Sequence, residues 1–258
     1  MRGRVGIAIL FALLLSQNVA RGEERWPDER RAGPFVIHAD FALRQIEPLI
    51  EQLAALQSDV DRALGVGTAR EEIHLFLFQR KSTYLGYLRE YFPTAPDRRA
   101  LFIKQRGPGM VFAYRSDELD VDLRHECTHA LLHANLSIVP LWLDEGLAEY
   151  FEVPPKDRAF DNPHLSSVRW KRRFGSLTPI TDLERIEELE GMGRAEYRDA
   201  WAWVHFMLHG PEPARDELQR YLRDIRELNP PGQLSTRLAR SLPDVDEHFS
   251  RHFRDWSR

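Results

Sequence analysis

The sequence predicts an α+β protein: an N-terminal α/β lobe with a small mixed sheet, then a mostly helical C-terminal lobe, with one histidine-bearing helix between them. Three observations predict this. Short apolar runs bounded by turn residues, at 33–40, 72–79, 100–106 and 110–115, are confined to the first 115 residues. Stretches with apolar residues at helical spacing, 41–65 and 82–92, alternate with them. Beyond residue 141 nearly every segment has helical periodicity.

Each element has its own signal. Gly33-Pro34 opens "GPFVIHAD" (33–40), an apolar run read as a strand. The helix at 41–65 ends on Gly65 and carries Pro48 early, at a first-turn position or a kink. "EIHLFLFQ" (72–79) sets Ile, Leu and Leu against His, Phe and Phe, as a strand buried on both faces does. Pro93 stops the helix 82–92. The runs 100–106 and 110–115 flank Gly107-Pro108-Gly109 and read as a hairpin. Asp117, Glu118, Asp120 and Asp122 gather where acids favour a helix N-terminus, which places that start before His125. Further helices are expected at 141–152, 182–190, 194–209, 213–227, 233–241 and 244–256.

With 258 residues and 43% hydrophobic content the chain can bury a substantial core. Its first residues read as a signal peptide, 1–22: Arg2 and Arg4 precede an apolar run, Val5 to Leu15, too short to span a bilayer comfortably. Residues 23–32 are expected to be a flexible leader and 33–258 a single domain, with lobes at 33–122 and 123–258. The protein is therefore expected to be exported, periplasmic or secreted, with an uncleaved signal anchor as the alternative. No second apolar stretch predicts stable membrane insertion. Cleavage after Gly22 removes three arginines and takes the net charge from −4 to −7. An acidic chain argues against general nucleic-acid binding. The basic cluster "RWKRRF" (169–174) reads as a solvated helix face or loop. One cysteine, Cys127, cannot form an internal disulfide and is expected in packing.

The chemistry concentrates in "LRHECTHALLH" (123–133). His125 and His129, four apart on a helix, can present imidazoles to one tetrahedral ion. Glu126 projects roughly 100° around from His125, where a water on that ion lies. His133 is about 12 Å along the axis from His125 and cannot complete the set. A glycine and a histidine of the longer metzincin pattern are replaced by Leu132 and Asn135. "LWLDEGLAEYFE" (141–152) supplies Glu145 as third metal ligand if its helix runs back beside the first. Glu149, four residues on, is placed to accept the outer N–H of a ligand histidine, and Gly146 lets another backbone come close. His205, His209, His248 and His252 share the four-residue spacing without a glutamate and read as surface or core-edge residues. His38 and His74 read as strand packing residues, and His164 as a loop residue.

"HECTH" followed by "WLDEGLAEYFE" resembles the gluzincin clan of zinc metallopeptidases, nearest to its small secreted peptidase MA-like proteins. The resemblance implies a zincin-like fold over 33–256, Zn2+ held by His125, His129 and Glu145, and Glu126 as catalytic base acting on a peptide or protein substrate. It implies Tyr197 as a donor to the developing oxyanion. It also implies an edge strand before the histidine helix, read as Val111, Phe112 and Ala113, binding extended substrate by strand addition. Asp144 stands where the aminopeptidase branch has asparagine, and no Gly-x-Met-Glu-Asn segment precedes the helix, so an endopeptidase is expected over an aminopeptidase. The alternative is a catalytically inactive zinc-binding module of the same fold, which has no physical need for Glu126.

Overall fold

A computed structural model describes residues 26–105, 107–174 and 177–257. The expected signal peptide, 1–22, lies outside the described residues. The sheet has five strands in the order β1-β2-β3-β5-β4. They are β1 (Asp28–Ala32), β2 (Phe35–Ala39), β3 (Ile73–Phe78), β4 (Ala100–Ile103) and β5 (Met110–Tyr114). The expected leader is corrected at its C-terminal half: residues 28–32 turn back at Gly33 (φ 59°) and pair antiparallel with β2 as an edge strand.

β2, β3 and β5 pair in parallel, and β4 pairs antiparallel with β5. This corrects the expectation for Val111, Phe112 and Ala113. They lie in an inner strand, at 0%, 0% and 1% exposure, with ladders on both sides. The hairpin is real, but its second arm takes the place beside β3 and leaves the first arm, β4, on the edge.

The helices are α1 (Glu47–Leu64), α2 (Lys81–Tyr91), α3 (Leu119–His133), α4 (Leu141–Phe151), α5 (His164–Phe174), α6 (Ile180–Leu183), α7 (Arg194–His209), α8 (Glu212–Arg226), α9 (Leu234–Ser241) and α10 (Val245–Asp255). Pro48 sits in the first turn of α1, and Gly65 caps its end in the left-handed conformation, donating to Asp61 O. The segment 182–190, expected as one helix, is instead the short α6 and a 3-10 turn at Leu189–Gly191. His164, expected in a loop, opens α5, and the 169–174 cluster is helical, with Trp170 exposed.

Alternation decides how the layers form. Ile73, Leu75 and Leu77 of β3 point into the main core, which continues through α1, α3, α4 and α7, while Phe78 joins Tyr84, Leu88, Leu101 and Phe112 under α2. Helix α3 is thus packed between the sheet and the helical lobe. Cys127 is fully buried there as expected, and burial raises its pKa well above the usual thiol value. Among the described residues no helix is long and apolar enough to cross a membrane.

The helical-lobe histidines are more deeply placed than expected. His205 is fully buried; its Nδ1 lies 3.0 Å from His252 Nε2 and its Nε2 donates to Ala159 O at 2.9 Å, which ties α7 to α10. His209 Nε2 and Tyr150 Oη are hydrogen-bonded at 2.8 Å. Burial lowers the pKa values of His205, His209 and His252 to about 3, 4 and 4. The unfolded chain takes up protons at these rings below about pH 6.5, whereas the folded chain excludes them down to about pH 4. The contribution of these three rings to stability is therefore full above 6.5 and falls as pH drops, by roughly 1 kcal/mol per pH unit per ring. Thermal melts between pH 7 and 4.5 should show this slope, and His252→Gln should flatten it; an unchanged slope in that variant would refute the assignment.

Candidate metal centre and active site

Helices α3 and α4 run antiparallel, so residue pairs climb one as they descend the other. His133 faces Asp144, His129 faces Asp144 and Glu145, and His125 faces Glu145 and Glu152. His125 Nε2 and His129 Nε2 are 3.2 Å apart, and Glu145 Oε2 lies 3.5 and 3.6 Å from them. Two nitrogens bound tetrahedrally to one ion at 2.0–2.1 Å stand about 3.3 Å apart. Glu145 Oε2 is also a buried oxygen without a hydrogen-bond partner, as a carboxylate poised for a cation would be. These three residues fit a divalent ion such as zinc.

Packing against α7 fixes α4 in this place. A Cβ on Gly146 would fall 2.8 Å from Ala200 O and 3.0 Å from Val204 Cγ2, so only glycine lets α4 lie flush on that helix. Glu145, about 100° round α4 from Gly146, faces His125 and His129 of α3. Arg124 adds a cross-tie, donating to Glu152 O and to Gln52 Oε1 (2.9 Å).

The outer nitrogens of the two histidines each face a carboxylate, the first through a hydrogen bond and the second as an ion pair without one. His125 Nδ1 lies 3.0 Å from Glu152 Oε2 and His129 Nδ1 lies 3.1 Å from Asp144 Oδ2, an oxygen that also accepts from His133 Nε2 at 2.9 Å. Glu149 does not serve as expected. Its Oε2 takes a hydrogen bond from His164 Nε2 at 2.7 Å, and it only borders the group, within 4.8 Å of His125 and Glu152 atoms. Helical phase explains the substitution: Glu152, seven residues past Glu145, drifts about 20° from its face, whereas Glu149 drifts about 40°. That phase was the readable signal for Glu152. For Asp144 it was adjacency to Glu145 across from His129 and His133.

Charge is balanced within this cluster. Burial disfavours a charged His125, yet the Glu145 and Glu152 carboxylates beside it outweigh it and push the ring up to about 10; His129, facing Asp144 and Glu145, is also raised well above its usual value. Burial likewise opposes ionisation of Glu145, but the two histidines bring it down to about 2, and Asp144 is held below the usual carboxylate range. The two lowered carboxylates thus call for two positive charges between them, as two ring protons or as one divalent ion, while burial shifts Glu152 the other way.

Glu126 extends from α3 towards β4, where its Oε2 accepts a hydrogen bond from the Phe102 backbone N–H at 2.7 Å. Two cavities meet at Glu126. One, of about 360 Å³, has apolar walls from Phe92, Leu101, Ile103 and Leu189 and reaches His129 and Glu145. The other, of about 540 Å³, is polar and includes His125, Glu149, Glu152 and Tyr197. Arg98 lines both. Tyr197, in the first turn of α7, lines the polar cavity with His125 and Glu126. Burial and then Glu145 raise its hydroxyl to about 12, and the Arg98 guanidinium beside it opposes that shift. Val111, Phe112 and Ala113 line neither cavity.

Replacing the outer partner should reveal which acid matters. Glu152→Gln should weaken zinc binding about 10- to 100-fold while Glu149→Gln leaves it within a few-fold, measured by competition with a chromophoric chelator. Equal losses in both variants would return the role to Glu149.

No protein-family model and no curated protein matches the chain. Among solved structures it is similar to an M1 zinc metallopeptidase from Deinococcus radiodurans, at 17% identity and TM-score 0.48, covering 89% of this chain and 51% of that one. A point mutant of the same protein matches at 15% identity and TM-score 0.47 with the same coverage. The chain spans about half the length of these structures.

Proposed function

We propose that the chain is a zinc-dependent peptidase, exported to the periplasm or beyond, that hydrolyses bonds within peptide or protein substrates. The observation that carries this reading is the convergence of His125, His129 and Glu145 at ion-binding separations with Glu126 on the open side. An endopeptidase is favoured over an aminopeptidase because no Gly-x-Met-Glu-Asn segment, with its acid for a substrate's free amine, precedes α3.

Zinc held there supplies Lewis acidity and brings the pKa of water from about 15.7 to about 7. Glu126 takes the proton as water attacks the scissile carbonyl and hands it to the departing amine. Tyr197 donates its O–H to the oxyanion. A guanidinium can only donate, so Arg98, which lines the same cavity, does not compete for the phenol proton. Asp144 and Glu152 hold the two imidazoles in the tautomer that turns Nε2 inward. Extended substrate pairs with β4, the true edge before α3, in place of the inner β5.

Purified protein should carry about one zinc per chain, lost in His129→Ala and Glu145→Ala. Glu126→Gln should keep the ion and abolish cleavage of unfolded casein. Zinc retained without Glu145 would sink the site, and a zinc-replete wild type with no turnover on a broad peptide set would favour the inactive binding module instead. Tyr197→Phe should keep its zinc and lower kcat by about 10²- to 10³-fold; an unchanged kcat would remove Tyr197 from the mechanism.

A further inference from the structure

We propose that the backbone amide of Phe102 is the positioning group of Glu126: an edge-strand N–H that clamps one carboxylate oxygen so that the other faces the reacting water. The proposal rests on the reading of Glu126 as general base. The terminal torsion of a glutamate is broad and two-fold, so the side chain alone does not fix where its oxygens point. Here Oε2 is taken by the Phe102 N–H at 2.7 Å, a charge-assisted bond that selects one orientation.

The sheet register makes that amide available. Phe102 stands opposite Val111, flanked by Leu101 opposite Phe112 and Ile103 opposite Met110. Antiparallel pairs alternate, so with the Phe102 N–H directed to Glu126, residues 101 and 103 carry the ladder to β5. Two further contacts hold the donor in place against α3. The Phe102 ring stacks on His133 and His129, with centroids 5.6 and 6.4 Å away, and Lys104 Nζ donates to His133 O at 2.6 Å. The base is therefore aligned by the same strand that substrate meets, and pairing at this edge must use groups other than that N–H.

Amide exchange in the zinc-loaded full chain tests the contact without turnover. The Phe102 amide should be protected in wild type and in Glu126→Gln, whose side-chain oxygen still accepts, and should exchange roughly tenfold or more faster in Glu126→Ala, with residues 101 and 103 unchanged. Equal exchange in wild type and Glu126→Ala would overturn the proposal. The functional arm compares Phe102→Pro, which lacks the N–H, with Phe102→Ala, which keeps it. Proline is tolerated where an edge N–H faces away from the sheet. Both variants should fold and retain zinc, and the proline variant should show a roughly 10- to 100-fold lower kcat on casein with KM unchanged. Equal kcat values would overturn the positioning role. A wild type without turnover defeats the peptidase reading itself, and the exchange arm still decides whether the amide holds Glu126.

Discussion

Everything at the site depends on how closely α4 can be set between α3 and α7. The Gly146 backbone lies against the Ala200 carbonyl with no room for a methyl group, and Glu145, about 100° round α4, comes within 3.6 Å of both histidine nitrogens. Interaxial distances between helices are ordinarily 8–10 Å. Even a small outward shift of α4 would separate a carboxylate from its partners by more than any metal–oxygen bond tolerates. The large apolar core around these helices, with Trp142, Trp201 and Trp203 nearly or fully buried, keeps that spacing rigid.

Given that spacing, electrostatics imposes the next constraint. Asp144, Glu145 and Glu152 are largely excluded from water, and buried charges persist only when compensated. His125 and His129 supply the compensation as protonated rings or as holders of a divalent ion. The same carboxylates that hold protons on the rings in the absence of an ion orient them in its presence, so a single set of contacts stabilises both conditions. The outer members of this set are as much a part of the centre as the inner three.

The open side is built by the α/β lobe. β4 presents its backbone to Glu126, Arg98 reaches both arms of the cleft, and Tyr197 closes the far wall from α7. One arm is apolar and the other polar, so Glu126 sits at a change in surface character. The His205–His252 contact joins α7 to α10, and the bond from His205 to Ala159 O anchors that ring.

How much was legible follows from range. Helical and strand periodicity, the Gly65 stop, the hairpin glycines and the acids before α3 all act within a few residues, so 41–65, 72–79 and 194–209 could be read directly from the sequence. His125, Glu126 and His129 were visible because helical geometry alone puts them on one face, and Glu145 because one short turn joins two helices. Tertiary structure decided what depends on longer-range packing. Parallel pairing of β3 with β5 put Val111, Phe112 and Ala113 inside and made β4 the edge. The crossing of α3 and α4 gave the outer hydrogen bond to Glu152 and the outer ion pair to Asp144, and turned Glu149 to His164. The amide that meets Glu126 belongs to a residue whose side chain says nothing of it, because a backbone donor carries no letter in the sequence and acquires a partner only when a strand's place in the sheet is set.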